Sequence, residues 1–457
     1  MTTQELVRRA GEFADNGEPD KAMELCNKVL LDEPDHPGAL YVCGCVLLQA
    51  ARHVQALQIA KRISEVCPRD PRGWGLQSLI YGELHKYDDS IRVAERAVAL
   101  KRTPKTLADA AYAHVNAGHW EKAKSLADES IRLADKDTPE STINDARIHR
   151  MYARLGLGDW GAFPDYRLTM RTKWRKEWTY ASDDRGTPTR EWMGEPDAVV
   201  MVTGEQGLGD EIMAGGVVPD AARACKTFIL DCDHRLVDLY RRSFPGVLVT
   251  PTRRDQAPTL PLYPTHHKSL FGLCELFRKR DEDFPRKPYL VPNAAYVQMF
   301  RDYLQVPTIG LAWSGGLPRT GMVERAAGLS AFLPLVRRGE AQFLSLQYKH
   351  EDAAEVAAFE KQHGLKVLRM PWVTHGPDMD LLAGLLGALQ EVVGVHTSAL
   401  HLSSAIGVPT TMLAHRGSGW RYGPKELLWY PPTTKLFMKR PGESWRDCVG
   451  RLVESRK

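Results

Sequence analysis

Laid against itself at an offset of 34 residues, the first third of this 457-residue chain repeats its small and apolar positions. Ala10 falls on Gly44, Phe13 on Leu47, Ala22 on Ala56 and Pro34 on Pro68. A third copy places Ser78, Tyr81, Ser90 and Ala94 at equivalent points, and a fourth, shifted by one residue, places Ala111, His114, Ala123 and Ala127 there. Small residues at those points let the two helices of a hairpin approach closely. Polar or glycine-containing stretches (NGEPD, KYDD, AGHW, GDW) mark turns between amphipathic runs. A degenerate fifth unit is expected over Thr142 to Met170. Units of this size cannot bury their apolar faces alone, so they stack into a solenoid with a groove.

The period is that of the tetratricopeptide repeat, and it predicts an α-helical repeat domain over residues 1–165. The groove of such an array holds an extended segment or another domain; the plainer reading is a packing scaffold for the rest of the chain. Between Tyr166 and Met193 the periodicity stops and Arg, Lys, Trp and Asp accumulate, which predicts a connector over residues 166–196. Its basic cluster, Arg171, Lys173, Arg175 and Lys176, reads as a solvated face rather than an anion site.

Beyond Gly194 short β-branched runs alternate with helical ones, the signature of parallel sheets flanked by helices. Strands are expected at Val199–Thr203, Thr227–Asp231, Val247–Thr250, Ile309–Trp313, Gln342–Leu346, Val367–Arg369, Val392–Val395 and Thr410–Leu413. A break near Val291 to Pro307 divides them into Rossmann-like halves, residues 197–293 and 294–457. Each half has one informative strand-to-helix corner. The first is AVVMVTGEQGLGDEIM, where Gly204, Gly207 and Gly209 allow a tight turn and close approach to a ligand, and Asp210 begins a helix. The second is EVVGVHTSALHLSSAIGVPTTML, Glu391 to Leu413.

Composition narrows the functional classes. A formal charge of +4 without a dense basic tract disfavours nucleic acid. No segment reaches the ~20 uninterrupted apolar residues of a membrane span, and MTTQELVRRAGEF lacks the apolar stretch of a signal peptide, so a soluble, cytoplasmic protein is expected. The eight cysteines include no C-x-x-C pair and no histidine partner at zinc spacing, which predicts reduced, mostly buried thiols.

The ordered set WMGEP, GEQGLGDEIM, FPGV, IGLAWSGG, FLSLQY, HTSALHLSSAIGVPT, GWRYG and LWYPP resembles bacterial tetratricopeptide-repeat proteins that carry a GT-B glycosyltransferase related to the heptosyltransferases. The likeness runs almost end to end, and flagellin glycosyltransferases and O-GlcNAc transferase share the plan. It implies a repeat solenoid followed by two Rossmann-like halves facing a cleft, with acceptor bound by the first half and nucleotide sugar by the second. It further implies inverting transfer to a protein such as flagellin, or to a surface glycan, with the repeats recognising the acceptor.

On that resemblance Gly209-Asp210 matches the Gly-Asp pair whose carboxylate deprotonates the acceptor, within a loop that includes Gly207 and Leu208; Glu205 is a second candidate base. Thr397 and Ser398, at a helix start, suit a diphosphate, and His401 lies one turn on. The competing reading makes Thr397 a helix cap, His401 a surface histidine and Asp210 a helix-start residue. Ser314, Gly315, Arg319, Arg325, Gln347 and Tyr348 complete the expected donor side, with Trp420 and Arg421 closing or stacking on the cleft. His396 stands where related transferases carry Asp, which implies extra positive charge, a different donor sugar or weakened activity. The run Asp231-Cys232-Asp233 resembles a D-x-D metal motif, but its place at a strand end predicts metal-independent chemistry with no cofactor beyond the sugar nucleotide. Two alternatives stand beside this: a repeat-based scaffold with a decayed transferase half, and a nicotinamide-dependent Rossmann enzyme, weakened by the missing G-x-G-x-x-G.

Overall fold

The computed structural model describes residues 1–169, 189–251, 262–316, 326–350, 352–415, 417, 421–423 and 427–456. The chain forms two compact units, Met1–Leu157 and Gly158–Lys457.

The first unit is a succession of helical hairpins: α1 (Thr3–Asp15) with α2 (Pro19–Asp32), α3 (Pro37–Gln49) with α4 (His53–Val66), α5 (Pro71–Glu83) with α6 (Tyr87–Leu100), and α7 (Pro104–Asn116) with α8 (Trp120–Leu133). Helix α9 (Glu140–Gly156) packs on α7 and α8. Proline opens α3, α5 and α7, where its fixed φ and missing N–H are harmless. The aligned small residues Ala10, Ala22, Ala56, Ser78, Ser90, Ala111 and Ala123 are all fully buried. The two serines are tolerated because they satisfy each other: Ser78 Oγ donates to Ser90 O (3.0 Å) and Ser90 Oγ to Ser78 O (2.8 Å). Each hairpin turn contains one residue with left-handed backbone, Gly17, Ala51, His85 or Gly118. The expected fifth hairpin is not completed within this unit, since α10 (Phe163–Thr169) belongs to the second.

The second unit carries two parallel sheets. In chain order the strands are β1 (Arg190–Glu191), β2 (Val199–Thr203), β3 (Thr227–Asp231), β4 (Leu248–Thr250), β5 (His266–Ser269), β6 (Thr308–Ala312), β7 (Gln342–Ser345), β8 (Leu368–Arg369), β9 (Glu391–Val395), β10 (Thr410–Ala414) and β11 (Thr434–Met438). The first sheet runs β1-β5-β2-β3-β4 and the second β11-β10-β9-β6-β7-β8, so the α/β class and its eight expected strands are present. Both sheets are buried by helices: Val200, Val202, Ile229 and Leu230 form the first core, and Leu311, Phe332, Val393, Val395 and Leu413 the second.

Strands β1, β5 and β11 have no counterpart among the expected eight. In β5, His-His-Lys-Ser has no apolar pattern; Lys268 is buried there because Glu191 (3.1 Å) and Glu275 (3.5 Å) pair with it. The Tyr166–Met193 connector falls largely on residues outside those described, including its four basic positions. All eight thiols are free, and Cys26, Cys43, Cys232, Cys274 and Cys448 are buried. Among the described residues no helix is long and apolar enough to cross a membrane.

Candidate functional site

The two corners sit at the carboxyl ends of β2 and β9, where open parallel sheets present their ligand-binding loops. They also touch each other. The helix Leu208–Ala214 packs against the helix Ser398–Ala405, and a Cβ added at Gly209 would lie 2.8 Å from His401 Cδ2 and 3.5 Å from Ser398 Cα. One segment ties both helices from outside the corners. The N–H groups of Tyr289 and Leu290 donate to Ala405 O (3.0 and 3.2 Å). The Tyr289 hydroxyl donates to Ile212 O (2.9 Å) and Met213 O (3.3 Å).

At the first corner Asp210 Oδ2 receives the Gly207 N–H (3.3 Å) and Oδ1 receives Arg421 Nε (3.1 Å), an ion pair between the two halves. Both side chains are partly open to solvent, 23% for Asp210 and 31% for Arg421. Burial alone would raise the Asp210 carboxyl, but the Arg421 guanidinium and His401 outweigh it and hold the group below the ordinary carboxylate range. Glu205, expected as a second base, is instead 1% exposed and takes the Phe271 N–H on Oε1 (2.9 Å), so its carboxylate braces the loop rather than facing an acceptor.

Packing explains two of the loop glycines. None of the three has positive φ; the left-handed residue is Gln206 (φ 63°), whose amide donates to Tyr166 Oη (3.2 Å). Gly204 is small because Glu211 presses on it: a Cβ there would stand 2.6 Å from the Glu211 carboxylate. Gly209 is small because His401 presses on it in the same way.

At the second corner Thr397 occupies the N-cap position of Ser398–Ala405, yet its side chain makes no capping bond. Its Oγ1 is buried and has no hydrogen-bond partner among the described residues. Ser398 follows in the first turn. His401, 5% exposed, is no surface histidine: Nδ1 hydrogen-bonds with Tyr430 Oη (2.6 Å). His396, 6% exposed, stacks on Tyr422 at 5.0 Å between ring centres and hydrogen-bonds to its hydroxyl. Tyr422 follows Arg421 directly, so one short segment reaches both corners. Trp429 Nε1 donates to Arg421 O (2.6 Å) and fixes that segment from behind.

Gly315 also lies against this helix start, and a Cβ there would meet Thr397 Cγ2 at 2.6 Å. The missing side chain leaves room for the threonine methyl. Gln347 is 2% exposed. With its amide oriented to satisfy both ends, it donates to Ser314 Oγ (3.0 Å) and accepts the N–H groups of Trp313 (2.6 Å) and Ser314 (2.8 Å). It is a clamp on the β6 loop, whereas Tyr348 is 42% exposed with its hydroxyl 3.5 Å from Gly316 O. Arg319, Arg325 and Trp420 lie outside the described residues.

Asp231 is fully buried and accepts the Thr250 hydroxyl (2.8 Å), and Asp233 caps the next turn and pairs with Arg235 (2.8 Å). Sequence reasoning missed Tyr289, Tyr430 and the Asp210–Arg421 pair. GWRYG and LWYPP were visible as motifs, but their contacts are tertiary.

In the repeat unit, Lys105 Nζ lies 2.7 Å from Asp109 Oδ1, and Tyr112 Oη donates to Glu83 (2.8 Å). Burial raises the carboxyls of Asp109 and Asp145, and burial with Lys105 pushes His149 down to about 4.

Residues 13–80 match the tetratricopeptide repeat family. The chain is 24% identical over 470 residues to Protein FlbA of Caulobacter vibrioides, across 95% of this chain and 75% of that protein. Among solved structures it is similar to an O-GlcNAc transferase mutant of Thermobaculum terrenum, at 14% identity and a TM-score of 0.40, covering 98% of this chain and 89% of that one. It is also similar to a thermophilic TPR protein of Thermus thermophilus, at 20% identity and a TM-score of 0.33, covering 37% of this chain and 90% of that one.

Proposed function

We propose that the second unit is a GT-B glycosyltransferase of the heptosyltransferase type, moving a sugar from a nucleotide sugar to a hydroxyl of a protein or surface glycan, in the cytoplasm. The observation that carries this reading is the packing of the two corner helices, one with a partly exposed carboxylate, Asp210, in its first turn and the other with an uncapped start and a buried hydroxyl, Thr397. The diphosphate lies against the first N–H groups of Ser398–Ala405, where the helix dipole and Thr397 Oγ1 stabilise negative charge. Asp210 accepts the proton of the acceptor hydroxyl as its oxygen attacks the anomeric carbon. The bond from that carbon to the β-phosphate oxygen breaks, and its electron pair leaves with the nucleoside diphosphate. Attack from the side opposite the leaving group inverts the centre. The repeat unit takes the acceptor or its carrier in its groove.

The test is a panel of UDP-, GDP-, ADP- and CDP-sugars incubated with the full chain, following nucleotide release without acceptor. Slow hydrolysis of one donor is expected and names it. Absence of both hydrolysis and nucleotide binding across the panel would refute the reading and leave a repeat-based scaffold in its place.

A further inference from the structure

Asp210 is paired by a cation from the other half, Arg421, which makes it a poor proton acceptor as it stands. That cation belongs to a short segment that touches both corner sites. Its Nε is 3.1 Å from Asp210 Oδ1, while the neighbouring Tyr422 is bonded to His396, the residue before Thr397. The two sites are themselves adjacent, since a Cβ built on Gly209 would come within 3.5 Å of Ser398 Cα. The contact is made through Nε and is partly open to solvent, conditions in which an ion pair is weak and exchangeable. A diphosphate carries more charge than a carboxylate and accepts a guanidinium fork through two oxygens.

We infer that Arg421 is exchanged between Asp210 and the donor: it holds the carboxylate at rest and moves to the phosphates when a nucleoside diphosphate settles at Thr397. Resting on the glycosyltransferase reading, this adds a binding order to it. The donor frees the base, so acceptor deprotonation follows donor binding, and loss of the product diphosphate returns Arg421 to Asp210.

A double-mutant cycle on the full chain tests the exchange. Calorimetric titration with pyrophosphate and with UDP, GDP, ADP and CDP is carried out on the natural chain, Asp210→Asn, Arg421→Gln and the double variant. Asp210→Asn should tighten diphosphate binding by about threefold or more, because Arg421 no longer has to leave a carboxylate. Arg421→Gln should weaken it by about tenfold. In the Arg421→Gln background the Asp210→Asn gain should shrink to the small residue left by removing a negative charge. An equal gain in both backgrounds overturns the inference, because the carboxylate would then act on the ligand without Arg421. Arg421→Lys replaces Arg421→Gln if the latter fails to fold, and should give an intermediate coupling. If none of the five probes binds the natural chain, the glycosyltransferase reading falls and the exchange with it. If they bind and Thr397→Val weakens them but the cycle shows no coupling, only the exchange falls.

Discussion

Glycine does different work in the two units. In the repeats, left-handed backbone recurs at Gly17, Ala51, His85 and Gly118, close to the 34-residue spacing, so the turn is imposed by local geometry and glycine is one way to meet it. At the sheet corners Gly204, Gly209 and Gly315 have ordinary backbone and are small because Glu211, His401 and Thr397 press on them. Left-handed backbone at the corners falls instead on Gln206, Gly316 and Gly407. A repeat turn is therefore specified by its own neighbours, whereas Gly209 and Gly315 answer to groups far away in the chain.

The largest effect expected at the corners is chemical. Asp210→Asn should lower the transfer rate at saturating donor by about 10²–10⁴-fold; a variant that keeps near-natural turnover shows that Asp210 is only a helix-start residue. Next is Gly209→Ala, which keeps an accessible backbone but drives a methyl into His401, itself buried and held by Tyr430. A loss of ~1–3 kcal/mol in a denaturant titration is expected, and an unchanged midpoint would show that the helices part without penalty. Thr397→Val removes the uncapped hydroxyl at nearly constant shape and should weaken diphosphate binding by ~0.5–1.5 kcal/mol, with no change in thermal midpoint. A drop in midpoint instead would mark that hydroxyl as structural.

Asp210 also sets an acid limb. Its carboxyl is held below its ordinary value in the fold, so the stability it contributes is full above about pH 4, the unfolded value, and is lost as pH falls through the lowered one. The natural chain should therefore lose ground to Asp210→Asn as acid unfolding curves are taken from pH 5 downward; parallel curves would show that the pair contributes nothing to the fold. The smallest effect belongs to the repeats. Ala51→Gly relieves a left-handed alanine, worth roughly 1–2 kcal/mol, against an entropy loss of about 0.5–1 kcal/mol, so a slight rise in thermal midpoint is expected. A fall there would place Ala51 under a tertiary constraint like that of the corners.

The same contrast explains what was legible in the sequence. Hairpin positions and the eight β-branched strands follow from periodicity and pattern, both local. Strand β5 was hidden because a buried lysine between two glutamates makes it polar. The two corner motifs were visible, and the helices that begin at them pack against each other. Glu205 looked equivalent to Asp210 because both are carboxylates in one loop, and only burial against Phe271 separates them. Arg421 as the partner of Asp210, more than two hundred residues away, had no sequence signal.

Tyr289 has a mechanical consequence. Its N–H reaches the end of one corner helix and its hydroxyl the backbone of the other. Separating the two corner helices would break bonds at both ends of this one residue, so Tyr289 acts as a strut that sets their spacing.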